Sequence, residues 1–508
     1  MKKKFLFFLI ILFLNIPLAQ VSFACDNPFQ PDCENIGEDY PCGSTYGWSW
    51  CGACVTAPPE PCSSGMYCYG AKCYGCPKNV PNCYLAQSNQ RTDGLKELTI
   101  DPIDIFSGEA YFSSKDISLG ARGPNLVLLR KYSSFSTING MFGYGWRTDF
   151  DINLTTDGSG DVTIYNGEGT AMYFMNNSGA YTATPGNFST LVRNADNTYM
   201  LTDKNGIVTH YDINGRLSSR TDRNGNTLIF VYVPAMSGGT YIQDAAGRKI
   251  ILNLDLNGHV ISAVEPTGKT FQYGYDTNGN LTSVTDPTGA VTNYDYNSSH
   301  QIFQFTNANG HKTYYQYDAQ GRAYMNWRDG NVNKTTLNYE ANNTTVVTDS
   351  LGNSNTYVFN STGLLLSHTD PLGAVTQQTW DGYMNKISVT DARNNTTTFR
   401  YDAIGNLIYI VDPLSNFTSM SYTSNFNLIS SKTDALWHVT NFAYDSNGNL
   451  LTITDATNHM HSFIYDQYGD MIRATDSRGN STNFTYDAFS HVIQKIDAAG
   501  KSTNFTYE

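Results

Sequence analysis

An all-β fold is what this sequence predicts, and three observations predict it. Only 15% of the 508 residues are charged, and the polar remainder is rich in Asn, Thr, Ser, Gly and Tyr, which favour strands joined by turns over helices. Aromatic residues return every 20, 21 or 22 positions between Tyr275 and Tyr507. Ten residues ahead of each later member of that series stands an Asp, or once Asn307, that opens a turn-type tetrapeptide.

The chain opens with an export signal. Lys2, Lys3 and Lys4 precede an apolar run of 15 residues, and "SFA" before Cys25 has the small-x-small form of a cleavage site. Asn15 and Pro17 interrupt the run, which falls short of the roughly 20 residues that a spanning helix needs. Cleavage after residue 24 ranks above a membrane anchor and above lipidation of Cys25. No later segment reads as a membrane span. Loss of residues 1–24 removes three Lys and no acid, taking the formal charge from −13 to −16. Such an acidic exported chain is a poor partner for nucleic acid or anionic lipid.

Residues 25–84 hold all ten cysteines: Cys25, Cys33, Cys42, Cys51, Cys54, Cys62, Cys68, Cys73, Cys76 and Cys83. An even number in an exported segment reads as a disulfide framework. The rival is zinc, because "CGAC" and "CYGC" are CxxC pairs separated by 18 residues. The oxidising compartment favours disulfides, and a module this small would depend on them. Residues 85–100 are polar and read as a linker, and residues 101–205 alternate apolar and polar positions between Gly and Pro breaks, as a β-rich domain does.

The repeats occupy 206–508. Their anchors are Tyr275, Tyr296, Tyr317, Tyr339, Phe359, Trp380, Tyr401, Tyr422, Tyr444, Tyr465, Tyr486 and Tyr507, with Tyr211-Asp212 as an earlier, less regular unit. The constant interval of ten residues from corner to anchor holds one half of each unit in register, so all length variation falls in the other half. Corner positions such as Asp286 with Gly289, Asp349 with Gly352, Asp370 with Gly373, Asp476 with Gly479 and Asp497 with Gly500 have Asp to cap the turn and Gly to accept positive φ. Residues two before the anchor are often aromatic too, as at Tyr273, Tyr294, Phe442 and Phe463, and i, i+2 residues share a strand face. Two corners of about 4 residues leave about 6 or 7 for each of two strands, so each unit is a β-hairpin and the array an extended antiparallel sheet.

The units "YDTNGNLTSVTDPTG" (275–289) and "YDSNGNLLTITDATN" (444–458) resemble the YD-repeat, or rearrangement-hotspot (RHS), family of bacterial exported proteins, related to the shell of animal teneurins. "DPIDIFSGEAYF" (101–112), "LRKYSS" (129–134) and "GYGW" (143–146) resemble the domain that precedes the repeats in that family. The resemblance covers roughly residues 100–508. It implies a spiralling, hollow β-shell that encloses a variable C-terminal domain, often a toxin. The family's core-ending Asp-Pro-x-Gly-Leu segment is not found, "DPLGA" (370–374) being its nearest counterpart.

No nucleophile, metal or phosphate-loop motif appears, so no catalytic residue, metal site or cofactor is expected. Turn chemistry explains the regular aspartates better than proteolysis does. It also explains "DTNGN" (276–280) and "DSNGN" (445–449) better than calcium, because no Glu follows at the twelfth loop position. The first functional expectation is a non-catalytic, secreted or cell-surface scaffold that encloses an effector absent from this sequence. The alternative is a surface adhesin or carbohydrate-binding protein with the Cys-rich module as its recognition head and a glycan or receptor as partner. "FTYE" at 505–508 ends on the opening of a further unit, so truncation at Glu508 is expected.

Overall fold

The computed structural model describes residues 96–99, 101–166, 171–233 and 239–507, and the backbone of 61–62, 66–69 and 72–74. The export signal lies outside the described residues, as do Cys25, Cys33, Cys42, Cys51, Cys54, Cys76 and Cys83. Cys62, Cys68 and Cys73 fall on a three-stranded antiparallel sheet of Pro61–Cys62, Met66–Tyr69 and Lys72–Tyr74, whose backbone register sets position 68 opposite 73.

Strands dominate everything that follows. Thirty-one of them, from Thr190–Arg193 to Ser502–Asn504, form an antiparallel sheet whose strand order is the chain order. The sequence period has a direct structural meaning. Strand Thr270–Tyr275 has 6 residues and Leu281–Thr285 has 5. Between them lies a five-residue corner, Asp276 to Asn280, and after them a second, Asp286 to Ala290, each closed by the N–H of its Asp donating to the carbonyl four residues on. The strands are shorter than the sequence predicts because each corner takes five residues rather than four. Where the period lengthens between Tyr422 and Tyr444, the corner has six residues: Thr423 N–H donates to Leu428 O, with Phe426 and Asn427 at positive φ.

Contacts divide the chain into two units, one reaching Lys386 and one made of Ile387–Glu508 together with Arg223–Gly225. In the first, strands Tyr111–Leu119, Leu126–Ser133 and Trp146–Arg147 form a small sheet. Alternate residues Leu126, Leu128, Arg130 and Tyr132 are buried, as a strand with one covered face requires. Trp146, Tyr132 and Phe142, all fully buried, share a core with Leu281, Tyr294 and Ile302 of the repeats. Ile103, Ile105 and Ala110 enter a second cluster with Tyr315, Ala323 and Phe359. The segment before the repeats therefore packs on the face that carries the repeat aromatics. In the second unit Asn224 exchanges amide hydrogen bonds with Asn449, and Phe399 and Phe484 are buried while Phe442 and Phe463 are half-buried. Among the described residues no helix is long and apolar enough to cross a membrane.

Candidate functional site: corners and aromatic pins

Most corners are organised by one carboxylate, its place being taken by an amide oxygen at Asn297, Asn307 and Asn360 and by a hydroxyl at Thr423. Asp286 Oδ1 accepts the N–H groups of Thr288 (2.8 Å) and Ala290 (3.0 Å). The same pair of bonds is made by Asp349 to Leu351 and Asn353, by Asp370 to Leu372 and Ala374, by Asp476 to Arg478 and Asn480, and by Asp497 to Ala499 and Lys501. The fourth residue then turns through positive φ: Gly289, Gly352, Gly373, Gly479 and Gly500 lie between +77° and +87°. An L-residue with a Cβ is disfavoured there, which explains the glycine.

The second carboxylate oxygen has a partner that the sequence did not disclose. Asn353 Nδ2 donates to Asp349 Oδ2 and Asn480 Nδ2 to Asp476 Oδ2, both at 2.9 Å. Asn280, Asn406 and Asn449 do the same to Asp276, Asp402 and Asp445. Arg248 and Arg322 replace the amide with Nε on Asp244 and Asp318, and His438 and His491 replace it with Nδ1 near Asp434 and Asp487. The signal was present as a recurrent Asn, Arg or His four residues after the corner Asp. At "DTNGN" and "DSNGN" the aspartate oxygens are thus engaged by the chain's own donors. Hydrogen bonds from the Thr288 hydroxyl and backbone hold the Asp286 carboxyl below its ordinary range, and the Asn353 and Asn480 amides do this for Asp349 and Asp476.

The aromatic anchors have a role beyond filling a face. A bulge precedes most anchors, Tyr339 being an exception: the register shifts between Gly274 and Tyr275, Asp295 and Tyr296, and Gln316 and Tyr317, setting those tyrosines opposite Leu281, Ile302 and Ala323. The next anchor's hydroxyl then donates to the carbonyl of that opposing residue. Tyr296 reaches Leu281 O (2.8 Å), Tyr317 reaches Ile302 O (2.7 Å), and Tyr339 reaches Ala323 O (2.6 Å). Tyr275 binds Val260 O, and in the second unit Tyr422, Tyr444, Tyr486 and Tyr507 bind Leu407, Ile429, Met471 and Val492. Tyr401 and Tyr465 end the strands Thr396–Tyr401 and Met460–Tyr465 at the same position. Trp380 serves with its indole N–H, at 2.7 Å from Leu365 O. Phe359 has no polar tip, and its ring packs edge-on against Phe106, 5.4 Å between centroids. Burial raises the Tyr275, Tyr296, Tyr317 and Tyr339 hydroxyls well above the ordinary phenol range, so they remain donors.

The segment before the repeats is fastened to these pins. Trp146 Nε1 donates to Tyr296 Oη (2.9 Å), and the Ile302 N–H donates to Tyr132 Oη (2.7 Å). Arg130, 1% exposed, pairs with Asp116 through Nε (2.6 Å) and Nη2 (2.9 Å), and Tyr273 Oη donates to the same carboxylate at 2.7 Å. The buried ion pair is thus closed by a repeat tyrosine. Among the described residues no three His, Cys, Asp or Glu side chains are grouped to hold a metal ion.

Hairpins pinned tyrosine to carbonyl, unit after unit, define a repeat sheet protein, and the family comparisons agree. Residues 377–508 match the teneurin YD-shell family, 255–291 and 275–304 match the RHS repeat, and 100–174 match a domain of unknown function, DUF6531. Over the matched residues the chain carries RHS repeats and a YD-shell segment. It is 26% identical over 127 residues to the tRNA3(Ser)-specific nuclease WapA of Bacillus spizizenii and to the tRNA nuclease WapA of Bacillus subtilis strain 168. Each match takes in 25% of this chain and 5% of the relative. Among solved structures, the complex TcdB2-TccC3-Cdc42 aligns over 76% of this chain and 27% of its own, at 12% identity and a TM-score of 0.40. The Photorhabdus luminescens Tc holotoxin pore aligns over the same shares at 13% identity and a TM-score of 0.39.

Proposed function

We propose that this chain is a non-catalytic, exported scaffold of an RHS-type toxin, whose sheet encloses or delivers a C-terminal effector. Residues 1–24 direct export, 25–84 form a disulfide-held module, and 101–508 supply the container. One observation carries the reading. Tyr273, Tyr294 and Tyr315 are 6%, 5% and 3% exposed beneath the segment that precedes the repeats. In the Ile387–Glu508 unit the equivalent positions are mixed: Phe399 and Phe484 are 7% and 5% exposed, whereas Phe442 and Phe463 are only half-buried. An apolar face left partly uncovered around Phe442 and Phe463 suits a container awaiting cargo. The family itself supports a scaffold role. The nuclease activity named for the Bacillus relatives belongs to proteins of which this chain matches a twentieth.

The test is limited proteolysis of the whole gene product isolated from producing cells, read by mass spectrometry. A segment beyond the repeats should resist protease while the repeats are intact, and become sensitive in F442S/F463S protein that retains its strand signal in circular dichroism. A product in which the repeats protect nothing would sink the reading.

A further inference from the structure

We propose that Tyr314 and Trp327 form a binding platform for an uncharged glycan on the face of the repeat sheet that points away from the core. Tyr315 and Asn326 are 3% and 0% exposed, so their neighbours Tyr314 and Trp327 lie on the opposite face. There the two rings meet across the strands Lys312–Tyr317 and Ala323–Arg328, stacked with 5.1 Å between centroids and 12° between planes. Both remain partly exposed.

The same place in other units is occupied differently. Gln272 faces Thr285 there, Asn293 faces Thr306, Thr336 faces Thr348 and Asn441 faces Thr454, the small polar pairs that a solvated sheet face calls for. The hairpin is also rebuilt around the two rings. Strand Ala323–Arg328 has 6 residues where Leu281–Thr285 and Ile302–Thr306 have 5, and a 3-10 turn at Asp329–Asn331 follows it in place of a five-residue corner. The Asp329 carboxylate accepts the Lys312 N–H at 2.7 Å and the Tyr314 hydroxyl at 3.4 Å. A carboxylate that elsewhere shapes a corner here holds the tip of the platform's tyrosine.

The chemistry around the rings selects a sugar. A pyranose offers C–H groups on its face and hydroxyls around its edge. Aromatic rings suit the first, and the second needs side chains that donate and accept together, as amides do. Gln304 stands directly across from Tyr314 on the neighbouring strand, and Gln316 lies two residues along on the same face. Two aromatic side chains supply at most about 500 Å². That suits one or two sugar units and falls short of the roughly 800 Å² per partner of a stable protein interface. Charge narrows the class further: Asp329 and Asp295, whose Oδ2 accepts from Gln304 at 2.6 Å, outnumber Lys312 here, so acidic sugars are repelled and a neutral one fits. The site belongs to the sheet itself and is independent of any cargo.

The probes are the neutral polysaccharides laminarin, xyloglucan, galactomannan and dextran, with alginate and heparin as acidic counterparts, each cast into a native gel through which the full chain migrates. At least one neutral polysaccharide should retard the unmodified chain. Y314N/W327T installs the pair that Asn293 and Thr306 form in the preceding unit, so it should keep its strand circular dichroism and thermal midpoint. Its dissociation constant should rise at least about tenfold. Tyr409→Ser, which removes a 39% exposed ring from another hairpin, should leave retardation unchanged. Retardation by none of the neutral polysaccharides, or by the acidic ones alone, would overturn the proposal. So would equal retardation of Y314N/W327T and the unmodified chain.

Discussion

Replacing Tyr296 by Phe removes one oxygen and two hydrogen bonds while leaving the ring volume in place. The lost atom accepts from Trp146 Nε1 at 2.9 Å and donates to Leu281 O at 2.8 Å. Trp146 and Leu281 are both fully buried, so water cannot replace the missing partner. An orphaned buried donor or acceptor costs about 1–3 kcal/mol, so the pair predicts a loss of about 2–6 kcal/mol. Tyr507 makes the equivalent single bond to Val492 O but is 47% exposed, and Tyr507→Phe should cost no more than about 1 kcal/mol. Urea unfolding followed by tryptophan emission measures both. Since the first unit contains the Trp146 bond, a cycle with Trp146→Phe isolates it, and the two substitutions should be non-additive by at least about 0.5 kcal/mol. Equal costs for Y296F and Y507F, or strict additivity with W146F, would refute the pin.

Three further outcomes follow from the same geometry. Arg130→Met strands Asp116 in the core and should cost about 3–5 kcal/mol, whereas R130M/D116L, which removes both charges, should recover much of that loss in the same unfolding assay. Gly289→Ala meets only the φ +87° penalty, about 1 kcal/mol, because no atom lies within 4 Å of the new Cβ; Gly215→Ala should cost more, since its Cβ collides with the Leu154 carbonyl. The corner carboxylates Asp286, Asp349 and Asp476 titrate lower when folded than unfolded, and hydrogen bonds led by the Thr457 hydroxyl bring Asp455 to about 2. Their contribution is therefore complete above about pH 4 and is lost as pH falls toward about 2, so strand circular dichroism should decline in that window, while a profile flat down to pH 2 would contradict the corner chemistry.

Much of this architecture was legible in the chain. Asp286 and Gly289 announce a corner because turn geometry is local, and the alternation in "NSTNFTYD" (480–487) announces a strand for the same reason. The tyrosines were legible as anchors, but their hydrogen-bond partners were not. An acceptor 15 residues back depends on a bulge such as the one between Asp295 and Tyr296, which shifts register without altering the pattern of residue types. Phe359 looked like one more anchor, yet it packs against Phe106 instead of binding a carbonyl.

By itself, then, the sequence determined the all-β class, the 21-residue unit and the places where the chain must turn, since these rest on preferences that act over a few bonds. Tertiary structure alone decided that Arg130 is buried, that Asp116 and Tyr273 close around it, and that Trp146 fastens to Tyr296. Those contacts join residues more than a hundred positions apart, apart from the Arg130–Asp116 pair itself. Whether a charge or an indole N–H is tolerable there depends on what the fold brings beside it, because burial without a partner costs more than a local preference can repay.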